Sequence, residues 1–514
     1  MGLLLDNAER PASETALDDL QGRRRTWAEL DERVTRLARL LRDDLGLAAD
    51  DHVAMLMANR SEGIELVLAA MIAGVWLTPI NHHLTAGEIA YIAEDSGARL
   101  LVTDPEHEAI ARQAFGGRLL VAGDELERVI AGASSEPMPT DGVPGATMIY
   151  TSGTTGRPKG VRRARAASVA EAFVGAKSAG VTLGLDGSGP HLVTGPLYHA
   201  APLLFGIYDL IAGAPLTVMP QWDAERFLAL AQAHGVRHTH LVPTMFVRLL
   251  RLPEAVRRGF DPSSLRVVLH GAAPIAQHVK RAMIAWWGEI LVEYWGATES
   301  GVCTLVGARD WLAHPGTVGR PIASYTVFAG DEKGRALPAG ETGMLWIRHT
   351  RIARPFEYHR APEKTAETYV GGDVAGQGVG DAFAVGDIGS VDADGYVHLS
   401  DRKTHTIISG GVNIFPTEIE QVLQGHPAVA DVAVFGVPDE EWGESVKAAV
   451  ELVEGQMPSG ELEADILTFA RERLAGYKVP RSIDFEQRLP RYPTGKLYLQ
   501  ALRDRYWRKT GRSV

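Results

Sequence analysis

The N-terminal part of the chain alternates between short apolar runs and helical patterns, which restricts it to a few fold classes. Val53–Met57 and Val75–Ile80 have the length and composition of buried strands, and Ser61–Ala73 between them has the length of a helix. Capping boxes at Thr26–Glu29 and Thr85–Glu88 mark the starts of two further helices. Strands alternating with helices in this way predict an α/β fold with largely parallel sheets.

The length of the chain predicts more than one domain. A single hydrophobic core rarely supports 514 residues. Past Asp401 the pattern of helices and strands restarts on a smaller scale. We therefore expect a large N-terminal α/β domain of parallel-rich sheets flanked by helices, followed by a small α+β C-terminal domain.

Composition and charge exclude several classes of protein. A net charge of −12 argues against a nucleic-acid partner. With Cys303 as the only cysteine, neither an intrachain disulfide nor a cysteine metal cluster can form, which fits a reducing, cytoplasmic location. Met1–Asp6 lacks the basic residues of a signal peptide, and Leu66–Leu77, the longest apolar run, is too short for a membrane span.

A loop rich in glycine and hydroxyl groups follows the short apolar run Ala146–Tyr150, which predicts a buried strand. The loop runs Thr151-Ser-Gly-Thr-Thr-Gly-Arg-Pro-Lys159. Glycine lets backbone N–H groups approach an anion, the hydroxyls add donors, and the lysine adds positive charge, so the segment predicts a phosphate site. It is not a Walker A loop, because Pro158 stands before Lys159. The alternative is an ordinary flexible turn.

Several later strands also end in loops of small residues. The strand Arg266–His270 enters Gly271-Ala-Ala-Pro274, and Ile290–Tyr294 enters Trp295-Gly-Ala-Thr-Glu-Ser300. Open α/β sheets bind their ligands at such strand ends. These loops are therefore candidates for one shared binding site.

Two charged features have weaker interpretations. Arg162-Arg-Ala-Arg165 is typical of a solvent-exposed helix start, which we favour. The alternative is that its positive charges stabilise a bound phosphate. His238 and His240 fall on one face of a predicted strand and could ligate a metal. We do not expect a metal there, because no third ligand is nearby in the sequence.

Six motifs occur in order along nearly the whole chain, namely Tyr150–Val161, Trp295–Glu299, Val385–Gly389, Ser400–Arg402, Ser409–Asn413 and Pro493–Lys496. Together they resemble the ANL adenylate-forming superfamily. Among its branches, the chain looks most like bacterial fatty-acid-type acyl-CoA ligases. The resemblance implies that ATP and a carboxylic acid form an acyl-adenylate, which coenzyme A then converts to a thioester.

The resemblance also implies roles for individual residues. Lys496, Thr298, Glu299 and His199 would be catalytic, with Glu299 holding Mg²⁺, Lys496 bridging carboxylate and phosphate, and His199 gating the acyl tunnel. Ser409, Gly410 and Gly411 would approach coenzyme A. The residues implied to bind ATP are Thr151, Ser152, Gly153, Thr154, Thr155, Gly156, Lys159, Gly271, Ala272, Ala273, Trp295, Gly296, Ala297, Thr298, Asp387 and Arg402.

Each role has a simpler alternative. Asp387 could be a turn residue, Thr298 and Glu299 could cap a helix, Lys496 could be an exposed lysine, and His199 could merely open a helix. A set of apolar residues is implied to line an acyl pocket, although its members could equally belong to the core. They are Leu203, Leu204, Phe205, Val242, Met245, Phe246, Val302 and Leu305.

The resemblance further implies a domain layout. Residues 1–400 would bind the nucleotide, 401–404 would be a hinge, and 405–514 would be a mobile C-terminal domain. Thr404 and His405 depart from the charged residues usual at this hinge, and Trp295 replaces a tyrosine that stacks on adenine in many relatives. An indole can also stack, so we expect ATP binding to persist.

Two alternatives to an acyl-CoA ligase of an apolar acid remain open. The first is an enzyme that loads an acyl or aminoacyl group onto a carrier protein. An amino-acid substrate is disfavoured, because the segment Pro196–Pro202 offers His199 and no aspartate to pair an amine. The second is a non-catalytic nucleotide-binding protein, which the presence of all the charged motif residues disfavours.

Overall fold

The structure is a computed structural model that describes residues 3–151, 157–371, 381–402, 405–409, 412–439, 441–491 and 497–507. Its strands fall into four sheets. Numbered along the chain, the strands are β1 Thr15–Asp18, β2 Arg24–Thr26, β3 His52–Leu56, β4 Trp76–Ile80, β5 Ala98–Thr103, β6 Arg118–Val121, β7 Ala146–Thr147, β8 Ile149–Thr151, β9 Lys159–Arg163, β10 His191–Val193, β11 Leu216–Val218, β12 His238–Leu241, β13 Val267–His270, β14 Leu291–Ala297, β15 Gly301–Gly307, β16 Thr317–Pro321, β17 Tyr325–Gly330, β18 Gly343–His349, β19 Phe356–Tyr358, β20 Tyr369–Val370, β21 Ala382–Val391, β22 Val397–Arg402, β23 Ile407–Ser409, β24 Val412–Ile414, β25 Val429–Asp439, β26 Gly443–Leu452 and β27 Ser482–Glu486.

Helices separate most of these strands. Within the described ranges, none is long and apolar enough to cross a membrane. The α-helices are α1 Leu3–Ala8, α2 Trp27–Arg39, α3 Ser61–Ala73, α4 Ala86–Ser96, α5 Glu108–Ala114, α6 Asp124–Gly132, α7 Val169–Thr182, α8 Ala200–Ala212, α9 Ala224–Ala233, α10 Pro243–Leu250, α11 Glu254–Gly259, α12 Gln277–Trp287, α13 Ala308–Ala313, α14 Pro362–Thr368, α15 Pro416–Leu423, α16 Gly460–Arg471 and α17 Leu499–Trp507.

The first parallel sheet has the order β6-β5-β3-β4-β7. Every residue of β3 and β4 is buried, as expected for parallel strands covered on both faces. Both predicted capping boxes are present, since Thr26 and Glu29 cap α2 and Thr85 and Glu88 cap α4. The helix predicted over Ser61–Ala73 is confirmed as α3.

The largest sheet is parallel in one half and antiparallel in the other. Strands β1, β11, β10, β12, β13 and β14 run parallel in that spatial order. From β15 onward the neighbours are antiparallel, through β16 and β22 to β21, β18 and β17. The parallel half brings the carboxyl ends of β10, β12, β13 and β14 to one edge of the sheet.

The strand predicted over Ala146–Tyr150 is wrong in one respect. Two short strands replace it, because β7 pairs in parallel with β4 whereas β8 pairs antiparallel with β9. Strand β19 completes this three-stranded sheet on the other side of β9. The predicted phosphate loop therefore joins two antiparallel strands, β8 and β9.

The interpretation of the segment Arg162–Arg165 as a helix start is also wrong. Arg162 ends up in β9, and α7 begins only at Val169. The guanidinium groups of Arg162 and Arg165 lie 4.4 and 4.7 Å from the ring centre of Trp76. These cation–π contacts brace the strand that carries Lys159.

A smaller five-stranded sheet forms the C-terminal domain. Its strand order is β24-β23-β26-β25, with β27 parallel to β26. Helices α15 and α16 contribute Ile419, Leu423, Ile466 and Ala470 to its core. The predicted class, a large α/β domain with a small α+β domain, is confirmed.

Candidate active site

The carboxyl ends of the parallel strands bring three predicted segments to one edge. The loop after β10 leads to His199, which is the residue before α8. Strand β13 ends immediately before Gly271, and β14 leads into Thr298 and Glu299. Ligands of open α/β sheets bind at this kind of edge. The structure therefore groups residues that are far apart in the sequence.

The turn between β14 and β15 holds Thr298 and Glu299 in a tightly constrained backbone. A Cβ atom on Gly296 would lie 1.9 Å from the carbonyl oxygen of Gly301, so only glycine fits there. Ser300 Oγ accepts a hydrogen bond from the Ala297 N–H at 3.1 Å. Thr298 is half-buried and Glu299 is buried, with 9% of its surface exposed.

Trp295 and Asp387 meet although they are 92 residues apart in sequence. The indole Nε1–H of Trp295 donates to Asp387 Oδ2 at 2.8 Å, and both residues are buried. Asp387 in β21 lies opposite the backbone of Arg402 in β22. Asp387 and Arg402, which are both predicted to bind ATP, are thus neighbours in one antiparallel pair, and the indole of Trp295 holds the Asp387 carboxylate.

Tyr358 links the lysine of the predicted phosphate loop to the predicted metal ligand. The hydroxyl of Tyr358 donates to Glu299 Oε1 at 2.9 Å, and Lys159 Nζ lies 5.8 Å from the centre of the Tyr358 ring. Burial and the charge of Glu299 raise the pKa of Tyr358, so its phenol stays protonated. Sequence reasoning missed Tyr358, because it lies in none of the six motifs.

The loop after β13 combines a close approach with backbone strain. A Cβ atom on Gly271 would lie 2.6 Å from the carbonyl oxygen of Tyr294. Ala272 has a φ of 65°, a left-handed conformation that costs a non-glycine residue about 1–3 kcal/mol. Strain of this kind is common at ligand sites, which fits the prediction that Gly271, Ala272 and Ala273 bind the nucleotide.

His199 lies in a chain of aromatic side chains. Its ring is 4.6 Å from that of Tyr198, which is in turn 5.3 Å from His82. His240 lies on the same side of the sheet as Phe205, and its Nε2 is 3.0 Å from the hydroxyl of Tyr294. Burial, together with the charges of His191 and His199, lowers the pKa of His240 to about 3, so its ring is neutral.

The predicted acyl-pocket residues separate into different clusters. Phe205, Val302 and Leu305 gather around Tyr294 on the α8 side of the sheet. In contrast, Leu203 packs in the core formed with the first parallel sheet, and Phe246 packs in the core under α10 and α12. The first group remains a candidate for the acyl pocket, while Leu203 and Phe246 are core residues.

The two strand histidines have structural partners. His238 Nδ1 is 2.8 Å and His191 Nδ1 is 2.9 Å from Asp209 Oδ2, and the Gly187 N–H donates to Asp209 Oδ1. His240 instead pairs with Tyr294. No group of three or more histidine, cysteine or acidic side chains in the described part of the chain is placed to hold a metal ion.

Some predicted residues lie outside the described ranges, namely Ser152, Gly153, Thr154, Thr155, Gly156, Gly410, Gly411 and Lys496. Arg402 is described by its backbone alone, and Ser409 pairs with Val412 and Gly443 in the C-terminal sheet. Thr151, Lys159, Thr298, Glu299, Trp295 and Asp387 lie on the elements described above. Their roles remain predictions.

Comparison with known proteins identifies the family. A model of AMP-binding enzymes matches residues 4–356, and a model of the AMP-binding enzyme C-terminal domain matches residues 418–496. The chain belongs to the AMP-binding enzyme family. It is an AMP-forming acid–thiol ligase, and the resemblance to adenylate-forming enzymes stated from its motifs is confirmed.

Relatives and solved structures agree over nearly the full length. The chain is 33% identical to the fatty acid–acyl-carrier-protein ligase ScoC of Streptomyces coeruleorubidus, covering 96% of this chain and 94% of the relative. It is 35% identical to a feruloyl-CoA synthase of an Amycolatopsis species, covering 94% of both. The crystal structure of ATP-bound MatB from Rhodopseudomonas palustris matches with a TM-score of 0.84 at 28% identity, covering 98% of both chains.

Proposed function

We propose that this AMP-binding enzyme is an ATP-dependent acyl-CoA ligase. It activates a mainly apolar carboxylic acid as an acyl-adenylate and transfers the acyl group to coenzyme A, releasing AMP and pyrophosphate. The observation that carries the proposal is the convergence of Lys159, Glu299 and Asp387 through Tyr358 and Trp295. These groups come from four separate strands and one turn, and Trp295 and Glu299 lie only four residues apart in the chain, which supports one shared nucleotide site.

The first half-reaction explains why these groups are charged. A carboxylate must approach the α-phosphate of ATP, and both are anions, so fixed positive charge and donors have to offset their repulsion. Lys159 and Thr298 would supply donors to the phosphates, and Asp387 with Arg402 would hold the ribose hydroxyls. Lys496 would bridge the carboxylate and the phosphate from the C-terminal domain.

The residues present fit a magnesium ion. Mg²⁺ is usually held by one or two carboxylates together with water and substrate phosphates, rather than by an all-protein cage. Glu299 would supply the carboxylate oxygen, and the phosphates of ATP would complete the site. Bound there, the ion would neutralise charge that develops on the phosphates.

The acid is proposed to be mainly apolar because of the cluster around Tyr294. Phe205, Val302 and Leu305 present hydrocarbon surface on the α8 side of the sheet, and His240 beside them is neutral. His199, at the start of α8, would gate access to this region. The relatives act on different acids, one on fatty acids and one on ferulate by their names, so the panel of acids tested has to be broad.

The second half-reaction is proposed to use a rotation of the C-terminal domain. Residues 401–404 would act as the hinge between residues 1–400 and 405–514, and Ser409, Gly410 and Gly411 would then face the pantetheine of coenzyme A. A carrier protein is the competing acceptor, and it is favoured by the similarity to ScoC, whose name gives an acyl-carrier protein as its partner.

Thioester formation across a panel of acids tests both versions. Purified protein would be supplied with ATP, Mg²⁺ and short, long, aryl or polycyclic acids, with either free coenzyme A or a holo-carrier protein. We expect acyl-CoA, detected by mass spectrometry, from apolar acids. Acylation of the carrier without acyl-CoA would favour the alternative. Absence of acid-dependent pyrophosphate exchange with every acid would contradict both.

A further inference from the structure

Tyr358 lies between two functional groups that the sequence motifs treat separately. Its hydroxyl contacts Glu299 at 2.9 Å, and its ring faces Lys159 at 5.8 Å. These three residues come from β19, from the turn after β14 and from β9. A single side chain thus connects the lysine of the phosphate loop with the carboxylate proposed to bind magnesium.

The contact is selective for one carboxylate oxygen. An ionised carboxylate accepts at two oxygens, and the phenol occupies Oε1. Among the residues that the structure describes, Tyr358 is the one donor recorded for Glu299. This bond to Oε1 restricts the rotation of the carboxylate and so limits the directions in which Oε2 can point.

Contacts of both its backbone and its ring fix the position of Tyr358. Its backbone lies opposite Val161 in the β9–β19 pair, and its N–H donates to Thr365 Oγ1 at 2.9 Å. Thr365 Oγ1 in turn donates to the carbonyl of Ala361 at 2.9 Å, inside the first turn of α14. The ring packs edge-on against Phe356 at 5.4 Å. Such support holds the phenol rigid, which a positioning role requires.

We propose that Tyr358 is a positioning residue for the metal–nucleotide complex. Its phenol orients Glu299 so that one carboxylate oxygen is presented to the magnesium ion of Mg·ATP, and its ring keeps Lys159 beside the same complex. This inference rests on the proposed function, because it takes Glu299 as the metal ligand. Partners of this kind set metal affinity by orienting the ligand and without touching the metal.

The test compares two phenols in the same segment. Tyr358→Phe removes only the hydroxyl and keeps the ring. Tyr369→Phe is the matched control, because the Tyr369 hydroxyl bonds the backbone of Phe356 and has no recorded contact with Glu299. Binding of Mn²⁺·ATP, measured by titration calorimetry and by the electron paramagnetic resonance signal of Mn²⁺ without an acid present, reports the metal site directly.

We expect Tyr358→Phe to weaken Mn²⁺·ATP binding about tenfold or more. Its affinity for ATP in the presence of a chelator should stay at the wild-type value. The Tyr369→Phe control should bind Mn²⁺·ATP as tightly as the wild type. Pyrophosphate exchange should also need more free Mg²⁺ in Tyr358→Phe. Equal Mn²⁺·ATP affinities in the wild type and Tyr358→Phe would overturn the inference.

A third variant separates this inference from the proposed function. If Glu299→Gln weakens Mn²⁺·ATP binding and Tyr358→Phe does not, the positioning role alone fails. If Glu299→Gln leaves the affinity unchanged, the metal role of Glu299 fails, and the inference falls with it.

Discussion

Two buried carboxylates in this enzyme, Glu299 and Asp209, have opposite surroundings. Asp209 is completely buried and accepts from His191, His238 and the Gly187 N–H, so both of its oxygens are occupied. Glu299 retains 9% exposure and has one recorded donor among the described residues, Tyr358. A carboxylate saturated by the protein holds elements together, whereas one with an oxygen left over can take a ligand.

The sequence predicted a functional role for Glu299 but no role for Asp209. Glu299 lies in a motif and was predicted to be functional, whereas His238, one of the two histidines that bond Asp209, was weighed together with His240 as a metal ligand and set aside. The structure explains the second point, because His238 and His240 use different partners although they share a strand face. The contrast can be tested by replacing each carboxylate with its isosteric amide.

The largest effect is expected for Glu299→Gln. Loss of the carboxylate charge removes the proposed magnesium ligand, and losing one charged group of this kind typically slows the reaction about 100- to 1000-fold. We expect acid-dependent pyrophosphate exchange to fall by that factor while the thermal midpoint stays close to the wild-type value. A stability loss comparable to that of Asp209→Asn would erase the contrast.

Asp209→Asn should show the reverse pattern. An amide has one accepting oxygen instead of two, so either the bonds from His191 and His238, which join α8 to strands β10 and β12, or the bond from the Gly187 N–H are lost, at a cost of about 3 kcal/mol. We expect a clear decrease in the thermal midpoint with near-normal activity per folded molecule. A variant as stable as the wild type would show that Asp209 does not hold these elements together.

The pH dependence of stability sharpens the same comparison. Burial alone would raise the pKa of Asp209, but hydrogen bonds from His191 and His238 outweigh it and lower the pKa from 3.8 to about 2. Because the folded value lies below the unfolded one, the ionised carboxylate stabilises the fold above about pH 4. This contribution, about 2 kcal/mol, is lost as the pH falls toward about 2.

The measurement for this prediction is the difference in urea midpoint between the wild type and Asp209→Asn. We expect a constant difference from about pH 7 to about pH 5, and a shrinking difference below about pH 4. A difference that widened with acidification would mean that the carboxylate is not stabilised by its histidine neighbours.

The fold was predictable where local signals decide it. Capping boxes at Thr26 and Thr85 specify helix starts through contacts three residues apart, and α3 follows from a continuous apolar run. The run Ala146–Tyr150 was wrongly assigned to one strand, because its two halves choose different partners, β4 and β9. Such pairing depends on distant segments that a short apolar pattern does not identify.

The site was predictable to a similar extent. Motif residues such as Glu299 and Asp387 were singled out because six motifs in order resemble those of a known superfamily, and their roles remain predictions. Tyr358 was not found, because it reaches the site only through the pairing of β19 with β9, across about 200 residues of chain. The residues around Tyr358, just before Pro362, form no motif that would mark this tyrosine as part of a site.

The smallest effect is expected for substitution of Asp387. The surroundings of its carboxylate are intermediate between those of Asp209 and those of Glu299. It is buried and already accepts from Trp295, yet its second oxygen is proposed to bind ribose. Asp387→Ala should weaken ATP binding about tenfold, the typical effect of losing a hydrogen bond to a charged group. It should also abolish any preference for ATP over 2′-deoxy-ATP and 3′-deoxy-ATP, measured by equilibrium titration.

Asp387→Asn tells the two functions of this side chain apart. Its amide oxygen can still accept from the Trp295 N–H, so the indole stays held while the negative charge is lost. Weakened ATP binding in both variants, with loss of the ribose preference, would place Asp387 with Glu299 as a ligand-binding carboxylate. Weakened binding in Asp387→Ala alone would place it with Asp209, as a group that acts by holding Trp295. Unchanged ATP affinity in both would count against the ribose role.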